Sequence, residues 1–474
     1  MPSFKEVFSK HAAEPRKLID ALCVDTIETR EQAAYLDEYK GGRTRRLKSV
    51  QVARKAKTIE ITNEKGKKTG SKTVHPAQLI FGFPQKIVRI AVHFLFGGKM
   101  SVSAEDRHDG FIEFVRVWTK VLKMQTALKR LARVCKIETK AAIVFYPQPI
   151  KDEEDPKTNK ELKLRCLVLS SENGEFFPHF DDYGDMDAFI RKYTVKNIDG
   201  KDITKAIIYT ADMIHTLEND GGWQYKKGDR NLFGKIPVVY VEQGEPEWEA
   251  IVSLIDAFEV RISRLADTND YFAEPLLKLY GDVTKAPGKD EVGKMIQFKM
   301  VKDMDGKPSH GDADYATWDH TPESVKLELD ETKEGIYSMS STPDLSFDNL
   351  KGLGVKSAKA LQFMFMDAMM KREENGEVFY DALNRCISVV VAGIVGYTNT
   401  KLNGQLNADD IQIGFTDQLP DDMEDYINSL VTATGGKPIL SQETAAGLNP
   451  LVSDAAQEVE RLKGEVVVNE PFDM

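Results

Sequence analysis

The 474-residue chain has 41% hydrophobic and 29% charged residues, a globular composition with room for two or three cored domains that argues against wholesale disorder. Its net charge of −11 is not that of a dedicated nucleic-acid binder. No window approaches the ~18 consecutive apolar residues of a membrane span, and MPSFKEVFSKHAAEPRK offers no apolar signal segment, so a cytosol-like compartment is expected.

The early elements are EQAAYLDEYKGG, helical up to its glycines, and a basic run. From Arg43 to Thr73 there are eleven Lys or Arg and two Glu; TIEIT, the turn-rich NEKGKKTG and SKTVH predict a β-hairpin there. That run reads either as a solvated hairpin or as a contact for nucleic acid or a partner. FPQKIVRIAVHFLFGGKM is an apolar helix ending at a glycine pair, and helical spacing continues from Phe111 to Ile137. AAIVFYP and LRCLVLSS then read as buried strands joined across KDEEDPKTNKE. KAIIYTADMIHTLE and KIPVVYVEQ read as further strands framing a loop, NDGGWQYKKGDRNLFG. Residues up to about 245 thus form one α+β body.

A long helix is expected from Pro246 to Ala273, with Trp248, Ile251, Leu254, Ile255, Phe258, Ile262, Leu265 and Phe272 in one stripe and Glu249, Asp256, Glu259, Arg261, Arg264 and Asp267 mostly off it. At ~37 Å it is longer than a monomer's core needs, so it should pack on a copy of itself or on another long helix. Short strands and turns follow over 276–320. A second helix begins behind Thr321 and Pro322, with Val325, Leu329, Thr332, Ile336 and Met339 at helical spacing, although Val325, Leu327 and Leu329 also alternate like a strand. The glycine turn LKGLGVKSAKAL opens a third helix of ~40 residues, broken or kinked near Gly376. Met364, Met366, Met369 and Met370 are expected in its core face. A strand, IQIGF, and an acidic helical tail close the chain; from Leu406 onward there are fourteen acidic and three basic residues.

Enzyme signatures are absent. GLGVKS resembles a phosphate loop, but Val355 stands where GxxxxGK[ST] needs glycine, and Ser357 replaces the third glycine of a dinucleotide fingerprint. The eight histidines make no HxH, HExxH or HxxxH pattern, and FDDYGDMD lacks the twelfth-position glutamate of a calcium loop, which leaves a solvated loop. Cys23, Cys135, Cys166 and Cys386 form no CxxC pair and are expected to be buried fillers. No catalytic residue, metal site or cofactor is expected.

Two readings of LKGLGVKSAKAL remain. Leu350, Gly352, Leu353, Gly354, Ala358 and Leu361 match a helix-hairpin-helix DNA-binding or DNA-processing motif, but STPDLSFDN before the turn carries proline and capping residues in place of a compact helix. The other reading takes in the surroundings. YLDEYKGGRTRR, FPQKIVRIAVHFLFGGKM, NLFGKIPVVYVEQGEPEWEAIVSLIDAFEVRISRLADTNDYF and IQIGFTDQLPDD followed by GGKPILSQETAAGLNPLVSDAAQEVERLKGE, in that order, resemble the phage portal protein family of the siphophage type. The resemblance runs from about residue 30 to 465. The basic hairpin at 48–73 and the spacer at 151–161 align with nothing in it.

The resemblance implies an α+β portal fold assembled as a ring of about twelve subunits. The wing body would span 1–245, the first stem helix 246–273, the clip 274–320, the second stem helix 321–341, and the tunnel loop 342–356. The long wing helix and strand would take 357–420 and a helical crown 421–474. Ser346, Phe347, Asp348, Asn349, Leu350 and Lys351 would then face DNA, with Gly352 and Gly354 as the loop-helix hinge. Implied partners are double-stranded DNA held without sequence preference, the terminase large subunit, a head-to-tail adaptor, the major capsid protein and scaffold. Membrane is not among them. The implied location is the portal vertex of the virion, after assembly in the host cytoplasm.

Overall fold

The computed structural model describes residues 2–24, 27–42, 56–62, 68–104, 108–149, 162–273, 276–280, 283–285, 297–298, 301–302, 308–309, 312–316, 322–344, 365–415, 423–435, 439–449, 452 and 458–462. They belong to two compact units, Met1–Thr342 with Arg372–Phe415, and Pro343–Lys371 with Thr416–Met474.

The first unit begins with α1 (Phe4–His11), α2 (Pro15–Leu22) and α3 (Ile27–Tyr39). Ser3 and Glu6 form a capping box that satisfies two otherwise orphaned amides of α1. The expected hairpin follows as β1 (Lys57–Thr62) and β2 (Lys68–Val74), antiparallel and, among the described residues, paired only with each other. Next, α4 (Phe83–Phe96) stops at Gly97, where the glycine pair placed its end.

After β3 (Met100–Ala104), the single helix expected over Phe111–Ile137 is three pieces: α5 (Asp109–Arg116), a π-helical turn over Val117–Val121, and α6 (Met124–Glu138). The break is local. Lys123 adopts a left-handed conformation at φ 52°, which a continuous right-handed helix does not accommodate. Phe114, Trp118, Leu128 and Leu131 on both sides of it are nonetheless buried in one core, so the apolar period reads unbroken.

The hairpin of β4 (Lys140–Pro149) and β5 (Leu162–Leu169) forms as expected; the spacer between them lies outside the described residues. A five-stranded antiparallel meander comprises β6 (Glu175–Phe180), β7 (Met186–Lys196), β8 (Asp202–Tyr209), β9 (Met213–Asn219) and β10 (Trp223–Arg230). Then β11 (Val238–Glu242) joins β4, giving the order β11-β4-β5. Two expectations change here. KAIIYTADMIHTLE is two strands with a turn at Thr210, whose hydroxyl accepts the Met213 amide at 3.0 Å, and the loop expected after Asn219 contains β10. Almost every β10 side chain is exposed, so it shows no apolar alternation to read.

The meander buries both faces with period two. Phe177, Ile190, Ile208 and Leu217 meet Leu18, Ile19 and Leu22 of α2, while Phe176, Phe189 and Tyr209 meet Ala142, Val144 and Val238. In FDDYGDMD, Asp181 closes a solvated turn by accepting the amides of Tyr183 and Asp185 at 2.9 and 3.0 Å. Asp187 departs from that reading. It sits on β7 and holds both the Phe4 amide and His179 at 2.6 Å, pinning α1 to the sheet.

The chain continues through α7 (Val252–Ala273), six short strands among the described residues, and α8 (Pro322–Met339). The strands are β12 (Leu276–Tyr280), β13 (Val283–Lys285), β14 (Gln297–Phe298), β15 (Val301–Lys302), β16 (Pro308–Ser309) and β17 (Asp312–Ala316); β12 pairs with β17, β13 with β14, and β15 with β16. In α8 the helical reading prevails over the strand alternation: Ile336 is buried and Leu327 exposed.

The third long helix, α9 (Met366–Gly393), runs unbroken through Gly376 and changes only at a π-helical turn over Ile394–Thr398. There Gly396 lies against the neighbouring loop, because a Cβ would stand 2.2 Å from the Leu232 carbonyl. Met366 and Met370 are half exposed, contrary to the expected core packing. Met366–Thr398 is long and apolar enough to cross a membrane by length and composition alone, but Cys386, Val389, Val390 and Ile394 are spent in the protein core. Finally, β18 (Ile411–Phe415) pairs with β3, and the second unit carries α10 (Met423–Thr434) and α11 (Gln442–Leu448).

His215 on β9 lies under Phe8, ring centroids 4.6 Å apart, and burial lowers its pKa from the ordinary value. The folded state therefore favours the neutral ring, and this contribution is present above the unfolded pKa of about 6.5 and lost on acidification. Thermal melts should show a steeper loss of stability between about pH 7 and 5 in the parent than in His215→Phe. Equal slopes would remove His215 from the account.

Candidate functional site: a strapped pair of long helices

Both long helices form for the reasons legible in sequence. α7 buries Ile251, just before its start, with Ile255 and Phe258, and α8 opens on Pro322, whose missing N–H costs nothing at that position. They pack on each other within the same chain. Leu254 faces Gly335 closely enough that an added Cβ would make ordinary contact at 3.6 Å, and Ile336 enters the shared core. Arg261 donates to Glu328 at 2.9 Å across the pair; both side chains are nearly half exposed, so this ion pair sets register more than it stabilises. Lys86 of α4 reaches Tyr337 Oη at 2.8 Å and lies 4.3 Å from its ring centroid, tying α8 to the body.

The extended segment 75–82 straps α7 lengthwise. Ala77 donates its amide to Asp267 at 2.7 Å, Leu79 to Ser263 Oγ at 2.9 Å, and Phe81 to Glu259 at 2.8 Å. The spacing is geometric: four helical residues rise ~6 Å, and two extended residues span ~6.6 Å. Every second amide of the strap therefore meets every fourth side chain of the helix. Glu259 and Ser263 are buried under it. Phe81 and Phe83 both meet Phe258 edge-on, with centroids 5.1 and 5.4 Å away.

At the root of the pair lies a buried ion pair. Lys136 of α6 is fully buried and donates to Glu247 at 2.7 Å and to Asn375 of α9 at 2.9 Å, with Phe379 6.0 Å away. One ammonium thus joins α6, the segment leading into α7, and α9. Trp248, next in sequence, is buried beside it against Tyr39.

The expected DNA-facing residues Ser346, Phe347, Asp348, Asn349, Leu350 and Lys351, and the hinge glycines Gly352 and Gly354, lie outside the described residues. The described residues bring together no set of His, Cys, Asp or Glu able to hold a metal. A cavity of about 690 Å³ lies between α1, α2 and β6, walled by Val7, Leu22, Phe177, Phe180 and Tyr240; the His179–Asp187 pair beside it is committed to anchoring α1. Burial pushes the thiols of Cys135 and Cys166 up to about 12 and about 11, and that of Cys386 higher still, so they stay protonated. The sequence placed Glu259 and Asp267 only off the apolar stripe of α7 and gave Ser263 no role. The available signal was three polar residues at i, i+4 and i+8, beside an extended run, HPAQLIF, whose amides need acceptors.

Two outcomes follow from this geometry. Lys136→Ala should lower unfolding free energy by about 3–5 kcal/mol in denaturant melts, since it strands a buried carboxylate; Lys136→Met with Glu247→Leu should recover most of that loss. Glu259→Ala leaves the Phe81 amide without that acceptor and should cost about 1–3 kcal/mol, with faster hydrogen exchange at Phe81. Unchanged exchange at Phe81 would show that the strap is held otherwise.

The family model for phage portal proteins of the SPP1 Gp6-like type matches residues 36–466. The portal protein of Bacillus phage SPP1 is 22% identical over 297 residues, covering 58% of this chain and 56% of that protein, so the match spans just over half the relative's length. Among solved structures, a chain from the neck of an empty gene transfer agent particle superposes with a TM-score of 0.41 at 11% identity, covering 78% of this chain and 90% of the other. A chain from a native gene transfer agent virion gives 0.40 at 10% identity, covering 77% and 88%. The match over residues 36–466 takes in the strapped helix pair and its root, and the chain belongs to the SPP1 Gp6-like phage portal protein family.

Proposed function

We propose that this chain is the subunit of a virion portal: a ring of about twelve copies at one capsid vertex, enclosing a channel through which double-stranded DNA is packaged and ejected. The observation that carries the reading is the family match over residues 36–466. Within it, 1–245 serves as the wing body, 246–273 and 321–341 as the stem, and 274–320 as the clip that meets the terminase large subunit and later the head-to-tail adaptor. Residues 342–356 form the tunnel loop, 357–420 the long wing helix and strand, and 421–474 the crown; the major capsid protein and scaffold surround the ring. The role is structural, without a catalytic centre, and assembly takes place in the host cytoplasm.

The stem supports this reading physically. With α7 and α8 packed on each other, Leu79 and Ile80 on the strap and Leu327 and Met339 on α8 remain exposed, an apolar surface that neighbouring copies in a ring would cover. The charge supports it too. A protein that neutralised many phosphates would hold DNA through counterion release, whereas a chain of net −11 lets it slide.

Negative-stain images or mass photometry should give rings of about twelve subunits with a central hole. A monomer or dimer that holds free DNA tightly at physiological salt would point to the helix-hairpin-helix alternative. Phe347→Ala and Lys351→Ala should reduce DNA packaging while leaving ring assembly intact; loss of the ring in these variants would make the loop structural.

A further inference from the structure

We propose that the cavity between α1, α2 and β6 is a docking site for an acidic peptide segment of another protein, one that seats a bulky apolar side chain there and turns a neighbouring carboxylate to Lys10. The inference stands on the first unit alone and does not need the ring.

The walls are fixed by contacts on both sides of the cavity. α1 is anchored by the Phe4 amide at Asp187 and by Phe8 over His215, and α2 buries Leu18, Ile19 and Leu22 against the meander. Val7, Lys10 and His11, three and four residues apart on α1, face the cavity together. Opposite them stand Phe177, Phe180 and Tyr240, with the rings of Phe180 and Tyr240 half-buried and their centroids 6.5 Å apart. The volume of about 690 Å³ lies within the ~300–1,000 Å³ of ligand pockets. At the mouth Ala21 is exposed and Val24 is 62% exposed, so the apolar lining continues out to the surface, where a partner's side chain would cover it.

The polar groups at the mouth choose among apolar ligands. Three carboxylates reach it, and each is engaged within the chain. Glu6 closes the capping box with Ser3, Asp181 accepts the amides of Tyr183 and Asp185, and Glu242 accepts the Tyr240 hydroxyl at 2.6 Å. Lys10 and His11 have no side-chain partner among the described residues. The uncommitted groups are therefore donors, and their complement is a carboxylate beside the seated apolar group.

An extended peptide meets these demands together. β6 is the edge of the meander, so its outward carbonyls have no strand partner among the described residues and can accept amides from a bound segment. Pro178 offers no amide at the centre of that strand, which interrupts a continuous ladder and leaves selection to the seated side chain. The alkyl chain of a lipid acid would leave those carbonyls unanswered. A phosphate backbone would leave the aromatic wall uncovered.

Saturation-transfer difference NMR on the purified full-length chain, titrated with acetyl-Asp-Phe-Asp-amide, tests the site. Transfer to the phenylalanine ring is expected, and acetyl-Asp-Ala-Asp-amide should give none. Ala21→Trp, at an exposed position, should block the mouth and abolish the signal without moving the melting temperature; Val24→Trp repeats the block on the same rim if Ala21→Trp disturbs the fold. Lys10→Glu with His11→Glu should weaken binding about fivefold. In that variant acetyl-Lys-Phe-Lys-amide, the weaker probe on the parent, should become the stronger, a reversal that mere loss of structure does not produce. Transfer that survives both tryptophan variants overturns the site, and equal binding of the two charged probes to the parent overturns the carboxylate. Sodium octanoate binding where the peptide does not would assign the cavity to a lipid acid and overturn the peptide. None of these outcomes bears on ring assembly, which is read separately.

Discussion

A fully buried lysine cannot stay charged unless its surroundings answer it, and Lys136 is answered by a carboxylate and an amide from two different segments. That requirement fixes the root of the helix pair. Glu247 comes to α6 just before α7 begins, and Asn375 brings α9 to the same point. Buried ion pairs add little net stability compared with apolar packing, but they penalise every arrangement that separates the partners. The pair therefore determines where α7 leaves α6. Trp248, Ile251 and Ile255 then supply the apolar burial, each large side chain contributing about 1.5–3 kcal/mol.

From that root α7 is ordered by a second constraint, the satisfaction of backbone amides. The strap is extended and pairs with no strand among the described residues, so its N–H groups need other acceptors. α7 provides them from its side, at a spacing that matches helix rise to strand rise. One face of α7 thus serves the core and α8, and another serves the strap. Phe81 of the strap packs on Phe258, while Leu79 and Ile80 stay exposed. A helix pair dressed in this way is tied together within one chain yet keeps apolar side chains on its outside, as the proposed ring assembly would require.

The elements with strong single-face periodicity were legible in the sequence: α4, α7, α8, the β1–β2 hairpin and the β4–β5 hairpin all stand where apolar spacing and glycines put them. Elsewhere the signal failed for identifiable reasons. The break at Lys123 leaves no trace because both flanking pieces face one core. β10 is exposed along almost its whole length, with only Trp223 packed on the core. Gly376 looked like a breaker, but a helix held along much of its length by Phe379, Leu383 and Cys386 absorbs the ~1 kcal/mol that glycine costs. Met366 and Met370 show that an apolar helical run need not be core. The strap was illegible because its acceptors lie nearly two hundred residues away along the chain, at positions that read as an ordinary solvated face. The lysine junction was hidden for the same reason, since nothing local distinguishes Lys136 from Lys129 and Lys140, its less buried neighbours in sequence.

Charge is segregated along the sequence: Arg43–Thr73 carries net +9 and the remainder −20. A uniformly acidic chain would repel copies of itself at every contact, whereas a segregated one repels at most contacts and can attract where a basic stretch meets an acidic surface. In the proposed ring that asymmetry would favour head-to-tail contacts over random ones, and positive charge engaged in such contacts would not be available to hold phosphate.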